Sequence, residues 1–208
     1  MIVGMGLRET KKQQTRVNLA DTAMALFLER GFDQVTVAEV AGVAGVSVNT
    51  VFNYFPTKED LFFDRQAEVE ARLAELVRSR PVGSSAVGAV RAGLLAEFGR
   101  NEPTLGLSGA ARDFWRVVDA SPALQARGRE IAERSEAALA AVLTEESGAA
   151  PEDPLPRLLA GALAGAYRAV TVEIRRQVVA GEPAERIRRS VGTAVDRAFG
   201  LLQSGLDG

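Results

Sequence analysis

The sequence predicts an all-α chain of about nine helices: an N-terminal domain of three helices, the second and third paired as a helix-turn-helix, then a larger helical domain. Three observations carry this. Apolar residues recur at helical spacing through most of the length. Hydroxyl residues followed three positions later by Glu or Gln mark helix starts, and Gly or Pro punctuates the ends. Only Val35 to Val37 has the β-branched density of a strand, and that stretch is too short and lies at a helix start.

The first helix is read from Thr10, which fits a capping box with Gln13; Leu19, Ala23, Leu26 and Phe27 form its apolar face, and Gly31 ends it. Residues 1–9 are expected to be a disordered arm. Thr36 and Glu39 form a second capping box, opening a short helix that runs to about Ala44. Gly45 permits a tight turn, and Ser47 caps a third helix. Pro56 stops it at Phe55, because the residue before a proline is steered away from helical angles. Thr57 caps a fourth helix, with Lys58, Glu59 and Asp60 in its first turn, expected to continue unbroken to Ser79. After the Pro and Gly of the loop that follows, helices are expected over 84–100, 104–119, 122–146, 154–180 and 183–203. Three of these begin near a proline, at Pro122, Pro154 and Pro183, whose missing N–H is no loss in a first turn. The domain boundary is placed between 57 and 58, giving domains of 1–57 and 58–208.

Composition removes whole classes of chemistry. The 208 residues include no Cys and no His. Disulfides, zinc sites of thiolate and imidazole, and mechanisms needing a Cys nucleophile or a His base are therefore excluded. No metal site and no cofactor is expected. Lys+Arg 25 against Asp+Glu 27 leaves a net charge of −2, which argues against a uniformly basic coat but not against a local patch. Arg8, Lys11, Lys12 and Arg16 form such a patch, opposed only by Glu9. No apolar run approaches the ~18 residues of a membrane span, and the longest, Leu158 to Val170, is broken by Arg168. Met1 to Leu7 lacks the basic start and cleavage site of a signal peptide. A cytoplasmic protein with no membrane partner is expected.

The helix-turn-helix carries the chemistry. Ala41, Ala44 and Gly45 are small where the two helices cross, and Val40, Val46, Val51 and Phe55 wedge them together. Asn49 and Asn53 lie four apart and share a face, with Thr50 beside them and Tyr54 one turn after Thr50. That face suits the DNA major groove, where Asn bonds adenine and a Thr methyl packs on thymine. Helix starts at Thr36, Thr57 and Lys58 are candidates for phosphate, as are Lys11, Lys12 and Arg16, which could also reach a minor groove. Ser47 reads first as a cap, and Tyr54 as either a phosphate contact or a packing residue. The span 47–55 holds no Arg or Lys, so Asn49, Thr50 and Asn53, together with DNA shape, are the expected readers.

Residues 10–65, and above all 36–61, resemble the DNA-binding domain of TetR-family transcriptional repressors. The shared elements are Thr36, Val40 and Ala41, the turn Ala44 to Ser47, Thr50, Tyr54 and Phe55, and Lys58 followed by Leu61. Asn49 departs from the glycine often found there. The resemblance implies a homodimer formed by the last two helices, double-stranded operator DNA as partner, and a small-molecule effector. In the sequence itself, Leu159, Leu163 and Val170 form one stripe, and Ile187, Val191, Val195, Ala198 and Leu202 another. These stripes suit a four-helix dimer interface or burial within one chain. Phe98, Phe114, Trp115 and Tyr167, anchored by Arg112 or Arg116, are candidates for the effector pocket, though each aromatic also suits plain core. The reading is of a regulator, not an enzyme. A helical dimer that binds ligand or protein without operator DNA, and a carboxylate-based enzyme, stand as alternatives.

Overall fold

The computed structural model describes residues 6–100, 102–107, 110–150 and 152–206. Among these it contains ten α-helices and no strand: α1 Leu7–Arg30, α2 Val37–Ala44, α3 Val48–Tyr54, α4 Lys58–Phe62, α5 Gln66–Arg78, α6 Ala86–Arg100, α7 Ala111–Ala120, α8 Pro122–Ser147, α9 Leu155–Val179 and α10 Ala184–Leu206. The chain forms two compact units. The first runs to Gln66 and includes Arg116–Arg127; the second holds Ala67–Trp115 and the chain from Gly128.

In the first unit, called the head below, α1 begins at Leu7 and not at Thr10. Gly6 takes the cap position without a side-chain bond, and the Thr10 hydroxyl points back to the Gly6 carbonyl from inside the helix. The arm expected over 1–9 is thus helical from Leu7, and its first five residues lie outside the described ones. Gly31 ends α1 at φ 87°, a conformation that favours glycine. The Thr36–Glu39 box opens α2 as expected, Gly45 closes it in the left-handed conformation at φ 70°, and Ser47 caps α3 by accepting from the Thr50 N–H. Phe27, Phe32 and Phe62 pack ring against ring at 5.0 to 6.0 Å, sealing a core with Leu19, Ala23, Val40, Val51 and Phe55. Val117, Val118 and Leu124 are buried too.

The helix expected over 57–79 is broken. α4 ends at Phe62, Phe63 leaves helical angles at φ −99°, ψ 51°, and α5 starts at Gln66. The cause is tertiary. The Asp60 carboxylate accepts from the Thr57 N–H at 2.9 Å, from Gln66 Nε2 at 2.9 Å and from Arg127 at 2.6 Å. Arg16 holds the Asp64 carbonyl at 2.6 Å, so that carbonyl points away from the helix ladder.

In the second unit, α5, α6, α8, α9 and α10 share one core. Leu73, Val77, Val90, Leu94, Leu139, Ile174, Ile187, Val191, Val195 and Phe199 are all buried in it. The helix expected over 104–119 starts later. A 3₁₀ turn covers Pro103–Leu105, Gly106 follows at φ 70°, and α7 begins at Ala111. No helix among the described residues is long and apolar enough to cross a membrane.

Candidate nucleic-acid interface

The head presents α3. Val51 at its centre is fully buried and Phe55 at its end nearly so, which fixes the opposite face outward. Asn49 and Asn53 are both exposed on that face. Ser47 and Thr50 join their hydroxyls at 2.8 Å, and Thr50 is half-buried, so this pair serves first to hold the start of α3. Tyr54 is half-buried and lines a cavity of about 340 Å³ with Arg16, Phe55, Asp60, Asp64 and Arg127.

Several expected phosphate ligands are engaged within the head. The Thr36 N–H and hydroxyl both donate to the Glu39 carboxylate at 2.8 Å. Thr57 forms the equivalent box with Asp60. The Arg16 guanidinium lies 4.4 Å over the Phe55 ring while it holds the Asp64 carbonyl. The Lys58 ammonium sits 4.2 Å over Phe32; burial lowers its pKa, against the pull of Asp33 and Glu59. Lys11 and Lys12 are exposed on the first turns of α1.

The Thr36 N–H, and after it Arg30 at 2.8 Å, hold Glu39 well below its ordinary 4.5, at about 2. A carboxylate depressed in the folded state stabilises above its unfolded pKa, and loses that contribution as pH falls through the folded one. The start of α2 is therefore expected to weaken between pH 4.5 and about 2. An NMR titration of the Glu39 carboxyl checks this: a midpoint near 2 that rises in Arg30→Ala is expected, and one near 4.5 contradicts it.

The second unit holds a buried polar cluster that the sequence reading missed. Arg72 of α5, with a side chain 10% exposed, donates to the Tyr167 hydroxyl at 3.2 Å and also bonds the Thr104 hydroxyl. Its Nε stands 3.4 Å from the carboxylate of Glu97, whose side chain is 6% exposed. Burial raises the Glu97 pKa and Arg72 opposes the rise. Glu97 Oε2 has no hydrogen-bond partner, and neither has the buried Trp115 Nε1. The signal for Glu97 was its position three after Leu94 and seven after Val90, on the buried face of α6.

Of the expected effector residues, Trp115 and Tyr167 are half-buried against the core that holds Phe98. Phe98 is core. Phe114 and Trp115 meet edge to face at 5.1 Å, with Arg175 4.6 Å over the Trp115 ring. Tyr167 belongs to the Arg72 cluster. Arg112 lies at a cavity of about 520 Å³ with Leu107, Asp113, Val178, Glu182 and Ile187, where its Nε donates to the Val178 carbonyl at 3.4 Å.

Of the residues expected at a dimer interface, Leu163, Ile187, Val191 and Val195 are buried among the chain's own helices. Leu159, Val170 and Leu202 are half-buried, and Ala198 is exposed. The most regular apolar stripe was taken by the unit's own core, because periodicity marks an apolar face without naming what covers it. The exposed stripe on α9 is instead Leu155, Leu158, Val172 and Val179, and α10 exposes Leu201.

A short capped helix held outward by its neighbours, with a second short helix before it, is the arrangement of a helix-turn-helix DNA-binding unit. Residues 19–64 match the family model of bacterial regulatory proteins of the tetR family, and residues 84–207 match that of the MftR C-terminal domain. The chain belongs to the TetR family. It is 28% identical over 174 residues to the HTH-type transcriptional regulator TcmR of Streptomyces glaucescens, covering 82% of this chain and 77% of TcmR. Over 51 residues it is 49% identical to the HTH-type transcriptional regulator LuxR of Vibrio harveyi, covering 24% of this chain and 23% of LuxR. Among solved structures it is similar to NalD, the secondary repressor of the MexAB-OprM multidrug efflux pump in Pseudomonas aeruginosa. There the TM-score is 0.57 at 17% identity, over 89% of this chain and 96% of NalD. The chain is thus a DNA-binding transcriptional regulator and not an enzyme.

Proposed function

We propose that the protein is a repressor that binds a pseudo-palindromic operator as a homodimer and releases it when a small-molecule effector enters the second unit. The observation that carries this reading is the outward face of α3, where Asn49 and Asn53 stand exposed over the buried Val51. Two amides on one face match the adenine N6 and N7 edge. Lys11 and Lys12 supply sequence-independent attraction to phosphate. Thr36, Ser47, Thr50 and Thr57 act mainly by holding α2, α3 and α4 in shape, with Tyr54, Lys58 and Arg16 at the edge of the surface. Repression is supported by the likeness to NalD, itself a repressor. The working unit is cytoplasmic, with residues 1–57 carrying DNA recognition and 58–208 carrying dimerisation and effector binding.

The dimer uses the exposed stripe of α9, Leu155, Leu158, Val172 and Val179, with Ala198 and Leu201 of α10. Its two-fold axis requires operator half-sites about 34–36 Å apart, or a multiple of that. The effector is expected to engage the Arg72, Glu97 and Tyr167 cluster, whose unsatisfied Glu97 Oε2 seeks a donor. An effector shifts the balance between operator-bound and released states only by its difference in affinity for the two. The test is a gel shift against DNA upstream of the protein's own gene, at fixed salt, with wild type and Asn53→Ala. A shift that weakens in the variant supports the reading, and no shift by the wild type on any duplex, including selected random ones, overturns it.

A further inference from the structure

Two apolar side chains on α3 stand well exposed to solvent. Val48 is 39% exposed and Phe52 is 44% exposed, one helical turn apart, while Phe27, Phe32, Phe55 and Phe62 of the same head are all buried. Nearly half of Phe52 faces water beside the exposed Asn49 and Asn53, an unusual place for a phenyl ring in a head where those four rings form the core. Neither Val48 nor Phe52 carries a donor for phosphate, so their use on this face must be apolar.

We propose that Val48 and Phe52 read thymine 5-methyl groups in the major groove. The methyl of thymine is the apolar group displayed there, and aromatic and aliphatic side chains pack on it. The rest of the face agrees. With no Arg or Lys, α3 lacks the usual partner for guanine, whereas its amides suit adenine. An A·T pair offers both features at once, a donor and acceptor edge for Asn and a methyl for Val or Phe. The half-site under α3 therefore carries thymines, and the 5-methyl groups themselves contribute to its recognition. This refines the operator-binding reading and rests on α3 being the recognition helix.

The test replaces each thymine of a selected operator duplex by deoxyuridine, which removes the methyl and leaves pairing unchanged. Binding is followed by fluorescence anisotropy at fixed salt. At one or two positions per half-site the wild type is expected to weaken about fourfold per methyl removed. Phe52→Ala is expected to bind the thymine and deoxyuridine duplexes alike at its position, and Val48→Ala likewise at its own. Phe52→Leu keeps an apolar contact and is expected to keep part of the discrimination, which separates loss of contact from loss of fold; circular dichroism of Phe52→Ala provides a second check. Wild type that binds the operator tightly but ignores every methyl overturns the inference and leaves DNA binding intact. Discrimination that persists unchanged in both alanine variants overturns it as well. Failure of the wild type to bind any duplex overturns the DNA-binding reading, and this inference with it.

Discussion

Phe27→Ala is expected to abolish operator binding although Phe27 itself lies in the core and not on the DNA-facing surface. Phe27 is fully buried and packs against Phe32 at 5.0 Å and Phe62 at 6.0 Å, so its ring ties the end of α1 to α4. Truncating a buried Phe costs about 3–5 kcal/mol, from lost transfer energy and from the cavity left behind. That is a large fraction of the stability of an ordinary domain. Lys58, which lies over the Phe27 and Phe32 rings, loses half of its aromatic bed as well. The readout is hydrogen exchange of the α2 and α3 amides, expected to speed up by two or more orders of magnitude, alongside loss of operator affinity. Val43→Ala, at a residue 67% exposed, provides the control and is expected to stay within about 0.5 kcal/mol of wild type. Equal exchange rates in Phe27→Ala and wild type contradict this account of the head.

Arg72→Ala is expected to destabilise the second unit by about 3 kcal/mol at pH 7, because it strands the buried Glu97 carboxylate without its cation. The loss should depend on pH. Burial already raises the Glu97 pKa, and removing Arg72 raises it further. A carboxyl group whose folded pKa is raised penalises folding once it must ionise. The deficit is therefore full above the raised folded value and fades as pH falls toward the ordinary 4.5. Glu97→Gln combined with Arg72→Ala should restore part of the stability, since the buried Glu97 charge is then gone. Denaturant melts of the single and double variants at pH 5 and 7 check this. A deficit in Arg72→Ala that is the same at both pH values and untouched by Glu97→Gln contradicts it.

Local signals in the sequence were sufficient where the physics is local. The Thr36 box, the Ser47 and Thr57 caps and the turn at Gly45 each involve residues three or four apart, and all four appear in the structure; the Thr10–Gln13 box does not, because α1 already starts at Leu7. The outward placement of Asn49 and Asn53 followed from helical spacing alone. What escaped was set by distant partners. The break after Phe62 depends on Asp60 meeting Arg127, 67 residues away. Arg72 meets Glu97 and Tyr167 across separations no spacing rule reaches, the tyrosine standing 95 positions further along the chain. The stripes of α9 and α10 were visible, yet Leu163, Ile187, Val191 and Val195 turned inward. A monomer core and a dimer seam obey the same periodicity. Phe52 was overlooked for a related reason, since an aromatic residue on a short helix reads as core until its exposure is known.

Recognition of DNA sequence through the amide face of α3 is decided by a single titration. A duplex chosen by selection from random sequence is compared with a scrambled duplex of equal length and composition, at one salt concentration, for wild type and Asn53→Ala. The account predicts that wild type prefers the selected duplex by about a thousandfold or more. Asn53→Ala is expected to lose about 1–3 kcal/mol of that preference, roughly 5- to 150-fold, with its fold unchanged. Equal affinity of the wild type for both duplexes, or an Asn53→Ala protein with undiminished preference, would contradict it.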